Sequence, residues 1–194
     1  VLVERAVASD RDERAKQLLV EAEARAREGL AGREDDPDRR FALAAVLGMR
    51  AEREGGRTRV HAASELHEEL VVLLELDPGH ARGHYMMGRL HAGVRRMNGV
   101  TRWLATNLLG GDALKDASWE GAVEHLAFAE ARAPEVPDHH LELACVYRDL
   151  GWLELALDEL DHVLEMRAVS PMEVVAHARA LEVRAEIEGM RSPR

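Results

Sequence analysis

Apolar residues recur along this chain at spacings of three and four, and no stretch keeps the strict alternation of a half-buried strand. The pattern predicts helices throughout, and its interruptions mark their ends. Asp10 with Glu13 has capping-box spacing and predicts a helix running to about Gly32. Asp36 followed by Pro37 predicts the next start, and Gly55 and Gly56 its stop. A third helix covers about 60–76 and ends at ELDPGH, and a fourth begins near His80 or Ala81. Ser118 is placed to cap SWEGAVEHLAFAEARAP, which closes before Pro134. DHHLELACVYRDLG then follows Asp138 and ends at Gly151, with WLELALDELDHVLEM directly after it. Ser170, Pro171 and Glu173 open the last helix.

The apolar positions also repeat at longer range. His140, Leu143, Ala144 and Tyr147 are followed by Ala156 and Leu160, giving HxxLAxxY and, nine residues on, AxxxL. Small residues at 144 and 156 let two helices approach closely while larger ones fill the space around them. The same pattern appears upstream as His84, Met87, Gly88 and His91, then Ala122, Leu126, Ala129 and Pro134. His91 and Ala122 are 31 residues apart where the intact unit has nine, so this unit carries a 22-residue insertion between its helices. A weaker unit precedes it, with Phe41, Ala44, Ala45 and Gly48, then Leu66, Leu70, Leu73 and Pro78.

These units resemble the tetratricopeptide repeat, whose signature is WxxLGxxY followed by AxxxF and a late proline. His84 and His140 stand where the signature has tryptophan. The first helix running into RW, the LLGG element, SWEGAVEHLAFAEARAP, the second repeat and MRAVSP before a closing helix together resemble the regulator of microtubule dynamics type and its bacterial relatives, over about residues 37–188. The resemblance implies an all-α fold, a right-handed α-α superhelix of antiparallel hairpins with a helical insertion in the middle repeat. It divides one domain, 1–194, into a capping helix (1–36), a degenerate repeat (37–78), a repeat (79–134) with the inserted segment 92–117, a further repeat (138–168) and a closing cap (170–188). It implies a non-catalytic scaffold or adaptor, with the first helix of each hairpin lining a concave groove.

Charge sharpens that expectation. The formal net charge is -10, yet residues 78–111 hold five arginines and no acid. With five of the 26 basic residues there, the rest of the chain carries 36 acids against 21 bases. Overall acidity argues against general nucleic-acid binding. At 3.6 residues per turn Arg82, Tyr85, Arg89 and Arg96 share one stripe, away from the core positions 84, 87, 88 and 91. Arg39 and Arg148 fall at comparable positions of the neighbouring repeats. Arginine grips a carboxylate with two parallel hydrogen bonds, so Arg82, Tyr85, Arg89, Arg96 and Arg148 are the candidate partner-binding residues, for an acidic peptide or a C-terminal carboxylate. The plainer alternative is that these arginines pair with acids of adjacent helices. A third reading uses the insertion: Val100, Trp103, Leu104, Leu108 and Leu109 beside Arg95, Arg96 and Arg102 have the make-up of an interfacial helix for anionic lipid.

Catalytic signatures do not emerge. No GxxxxGK, GxGxxG or GxSxG occurs, and the glycine pairs at 55 and 110 fall at helix ends. His80 and His84 have ligand spacing, and His139 and His140 are adjacent with His125 upstream, but there is no HExxH. His84, His91 and His140 occupy core positions and read as packed rather than metal-binding, leaving a metal-dependent enzyme as a remote alternative. Neither cofactor nor metal is expected. Cys145, the only cysteine, sits between Ala144 and Val146 as a small core residue, which fits a reducing, cytoplasmic setting. The longest apolar run, 41–47, is far short of the roughly 20 residues of a membrane span. Only Lys16 and Lys115 among the basic residues are lysine, a bias pointing to a GC-rich, bacterial type of genome.

Overall fold

A computed structural model describes residues 2–191, with side chains from residue 12 onward. The described residues are all-α: helices joined by short turns, without a strand. They form two compact units.

The first unit holds α1 (Leu2–Leu30), α2 (Pro37–Arg53), α3 (Gly56–Leu76) and, from a later stretch of chain, α5 (Gly99–Leu108) with a short 3-10 turn at Asp112–Leu114. α1 begins before the expected start at Asp10, whose side chain lies outside the described residues. Asp36 caps α2 as its spacing implied, its side chain accepting from the Arg39 backbone N–H at 3.2 Å, with Pro37 in the first turn. Leu43, Ala44, Val46 and Leu47 of α2 are buried with Leu66, Leu70 and Leu73 of α3, and these two helices pack against each other. α3 starts earlier than the apolar pattern suggested, because Gly56, at φ +54°, lets the chain turn and re-enter helix at once. α1 packs on α2, where Glu23 bonds both Arg27 and Arg50.

The insertion belongs to this unit. Ser64 of α3 donates to the carbonyl of Gly110 at 3.3 Å, and Leu114 is 2% exposed. Gly110 takes φ +88°, and a Cβ on Gly111 would lie 2.6 Å from the Ala105 carbonyl oxygen and 3.0 Å from Val60. The glycine pair therefore folds the end of α5 back onto α3, a role a larger residue at 111 could not take.

The second unit contains α4 (Ala81–Arg96), α6 (Trp119–Arg132), α7 (Pro137–Asp149), α8 (Leu153–Glu165) and α9 (Pro171–Arg191). α4 runs five residues into the expected insertion, since Ala92 and Val94 continue its buried face, so the inserted helical element is α5. α4 and α6 form an antiparallel hairpin in which His84 lies against His125 and Phe128 at one end and His91 against Ser118 and Gly121 at the other. Gly88 meets α6 between these ends: an added Cβ would be 2.6 Å from Leu126 Cγ and 3.0 Å from the Ala122 carbonyl. α7 and α8 repeat the arrangement, burying Ala144 beside Ala156, Leu160 and Val163, with Ala180, Val183 and Ile187 of α9 closing the cluster.

The expected caps at Ser118 and Ser170 are present. The Ser118 hydroxyl accepts from Gly121 N–H at 3.0 Å, while Ser170 and Glu173 exchange bonds at 3.2 and 2.8 Å. Asp138 is not a cap. Pro137 takes the first helical position, so Asp138 falls inside the first turn and acts there through the helix dipole.

Candidate functional site

α4 is amphipathic in the register its sequence dictates. Gly83, Met87, Gly88, Ala92 and Val94 are buried, and Arg82, Arg89 and Arg96, spaced by seven, keep to the other side. Arg82 is exposed in the first turn. One turn on, Tyr85 lies half-buried with its ring 5.0 Å from that of His139, and the Arg89 guanidinium stands 5.6 Å from the Tyr85 ring centroid. Tyr85 thus supports Arg89 from below, an arrangement worth about 0.5–1 kcal/mol at an exposed site.

The rest of the stripe meets acids of the next helices. Glu142 of α7 is 3.6 Å from Arg89 and 2.8 Å from Arg96. Arg96 also bonds Asp149 at 2.6 Å, Asp149 bonds Arg148 at 2.8 Å, and Arg148 reaches Glu186 of α9 at 2.7 Å. Arg179 continues the series to Glu182 at 2.9 Å and Glu186 at 3.7 Å. A band of alternating charge therefore runs over α4, α7 and α9. Burial alone would disfavour charge on Arg96 and Arg148, but the carboxylates beside them outweigh it and raise both above the usual arginine value.

The candidate residues consequently fall into two groups. Arg82, Tyr85 and Arg89 stand together at the start of the α4 face, with Arg89 also facing Glu142 at 3.6 Å. Arg96 and Arg148 are held in ion pairs between helices, as the plainer reading of the stripe had it. Arg39 lies in the first unit, where it bonds Asp36 at 3.0 Å and the Gly29 carbonyl at 2.9 Å. Sequence spacing missed Glu142 and Glu186, and the pairing of Asp149 with Arg96, because these contacts form only through helix packing; Asp149 is Arg148's neighbour in sequence.

The histidines are placed by the hairpins. His80 Nδ1 accepts from the Gly83 backbone N–H at 2.9 Å, capping α4, which removes it from any shared ligand face with His84. His84 and His125 share a hydrogen bond between their Nδ1 atoms at 2.8 Å, and His84 stacks on Phe128 with centroids 4.0 Å apart. His140, 3% exposed, donates from Nε2 to the Pro134 carbonyl at 2.9 Å and shares its Nδ1 proton with Glu159 at 2.7 Å. The Glu159 hydrogen bond holds the His140 pKa above its ordinary value. His162, on the next turn of α8, comes to 3.9 Å from the same carboxylate. Sequence reasoning singled out His140 but neither Glu159 nor His162; their i, i+3 spacing on α8 was the available signal. Cys145 is buried, and burial pushes its thiol pKa up, away from reactive thiolate.

None of the described helices is long and apolar enough to cross a membrane. No curated protein matches this chain. The sequence profile of the family described as Regulator of microtubule dynamics protein 1-3 matches residues 2–188, nearly the full length, and the chain belongs to that family.

Proposed function

We propose that this chain is a non-catalytic, tetratricopeptide-type scaffold of the cytoplasm that binds an acidic protein segment along the first helices of the α4–α6 and α7–α8 hairpins. The carrying observation is the start of the α4 face, where the exposed Arg82 and Arg89 flank the half-buried Tyr85. Two arginines seven residues apart on a helix are about 10 Å apart along its axis, which suits acidic side chains three residues apart on one face of a polyproline II-like peptide. Arg96 and Arg148 hold the neighbouring helices in place beside the patch rather than gripping the ligand. The bacterial assignment rests on the arginine bias, and the cytoplasmic one on a single, buried thiol.

The test is binding of a fluorescent glutamate-rich peptide to the full chain and to an Arg82→Glu, Arg89→Glu variant of equal helicity. Binding that weakens with salt and drops at least tenfold in the variant supports the reading. Equal binding by both chains refutes it.

A second reading has its own observation. Val100, Trp103, Leu104 and Leu108 are 72%, 56%, 39% and 60% exposed. They lie on the side of α5 opposite Ala105 and Thr106, through which that helix is buried. Such a stripe suits an interfacial helix resting on anionic lipid. Co-sedimentation with anionic but not zwitterionic vesicles, lost on Trp103→Glu, is its expected result.

A further inference from the structure

We infer that the α7–α8 hairpin carries a binding site for a divalent first-row transition ion, with zinc the fitting probe, built from His140, Glu159 and His162. One ligand atom from each residue lies within 4.8 Å of the other two. The set combines two imidazoles and one carboxylate, the donor mixture that zinc and its neighbours accept.

The separations lie close to those an ion requires. Two ligands at about 2.05 Å from a tetrahedral ion stand roughly 3.3 Å apart. Glu159 Oε2 now lies 2.7 Å from His140 Nδ1 and 3.9 Å from His162 Nδ1. Those two separations bracket the required value, so rotations of the Glu159 side chain and of the exposed His162 ring are what bring the donors to it. Glu159 is half-buried midway along α8 and His162 is exposed one turn on, so these are side-chain rotations that leave the backbone alone.

Orientation is already set. His140 is buried, and its Nε2–H is committed to the Pro134 carbonyl at 2.9 Å, so the ring presents Nδ1 to the site. A backbone carbonyl holding the far nitrogen is the usual support of a metal-bound histidine. His162 offers access, its side chain 58% exposed, and leaves room for water to complete the coordination. The ion takes the place of the proton that Nδ1 shares with Glu159, and that proton leaves to solvent. Glu130, with its carboxylate 4.0 Å from His140 Nε2, adds negative charge behind the ring. Because His140 comes from α7 and the other two ligands from α8, a bound ion clamps the two helices together.

The experiment is calorimetric titration of the chelator-stripped full chain with zinc chloride, alongside thermal melting with and without the ion. One ion per chain and a raised melting temperature are expected. His162→Ala removes an exposed ligand and Glu159→Gln keeps a neutral hydrogen-bonding group beside His140. Each should fold normally and weaken binding at least tenfold, while His61→Ala, an exposed histidine on α3, should bind as the parent does. Cobalt in place of zinc should give the visible absorption of a tetrahedral site, absent in His162→Ala. Absence of binding by the parent chain, or equal binding by His162→Ala and Glu159→Gln, overturns the inference.

Discussion

Replacing Gly88 and Gly93 by alanine, one at a time, separates helix packing from helix propensity on a single element. Both residues lie within α4. A Cβ on Gly93 meets nothing within 4 Å, whereas one on Gly88 would be 2.6 Å from Leu126 Cγ and 3.0 Å from the Ala122 carbonyl oxygen. Carbon atoms settle at about 3.5–4.0 Å, so the first contact is roughly 1 Å too short. Leu126 is fully buried and the Ala122 oxygen belongs to the α6 backbone, so neither can rotate aside. The helices must part, at the cost typical of overpacking, about 1–3 kcal/mol. Glycine to alanine in a helix interior returns about 1 kcal/mol at either position. Gly93→Ala should therefore stabilise by about 1 kcal/mol and Gly88→Ala should destabilise by up to about 2 kcal/mol. Their difference, in which propensity cancels, measures the packing cost alone. Urea melts followed by far-UV circular dichroism give both values. If Gly88→Ala is as stable as Gly93→Ala, the close approach of α4 to α6 is not what selects glycine at 88, and the hairpin described above is misassembled.

Glu142→Gln removes the carboxylate shared by Arg89 and Arg96. It should cost about 1 kcal/mol in a denaturant melt and, on the proposed function, tighten binding of the glutamate-rich peptide, since a competing anion is gone. Ser118→Ala should cost about 1 kcal/mol through loss of the α6 cap. His67 supplies a pH dependence: burial lowers its pKa below 6.5 despite Glu68 and Asp116. Its contribution is present in full above pH 6.5, is lost as pH falls from there through the folded-state value, and levels below that. His67→Gln should flatten this part of a stability profile measured between about pH 7.5 and 5.

Much of the architecture was legible because it is local. The caps at Asp36, Ser118 and Ser170 act within four residues, and Gly88, Ala144 and Ala156 announce close packing by their size alone. The length of α4 was less plain, since glycine and arginine dilute the apolar signal of Ala92 and Val94 near its end. The charged band was half visible. A stripe of arginines follows from helical spacing, but Glu142 lies 53 residues beyond Arg89, and only the packing of α4, α6 and α7 brings them together. The same holds for His140 and Glu159, which meet because α7 and α8 run antiparallel.

The placement of the insertion bears on how this protein can be divided. Residues 97–116 pack with α3, while the helices on either side of them in the chain belong to the other unit. The polypeptide passes between units three times, so neither unit is a continuous stretch of gene. A fragment ending at Pro78 would lose Gly111 and Leu114 and open Val60 to water; one starting at Gly79 would carry α5 away from the surface it covers. Dissection experiments therefore need circular permutation, or replacement of 97–116 by a short linker with that segment fused after α3, rather than a simple cut.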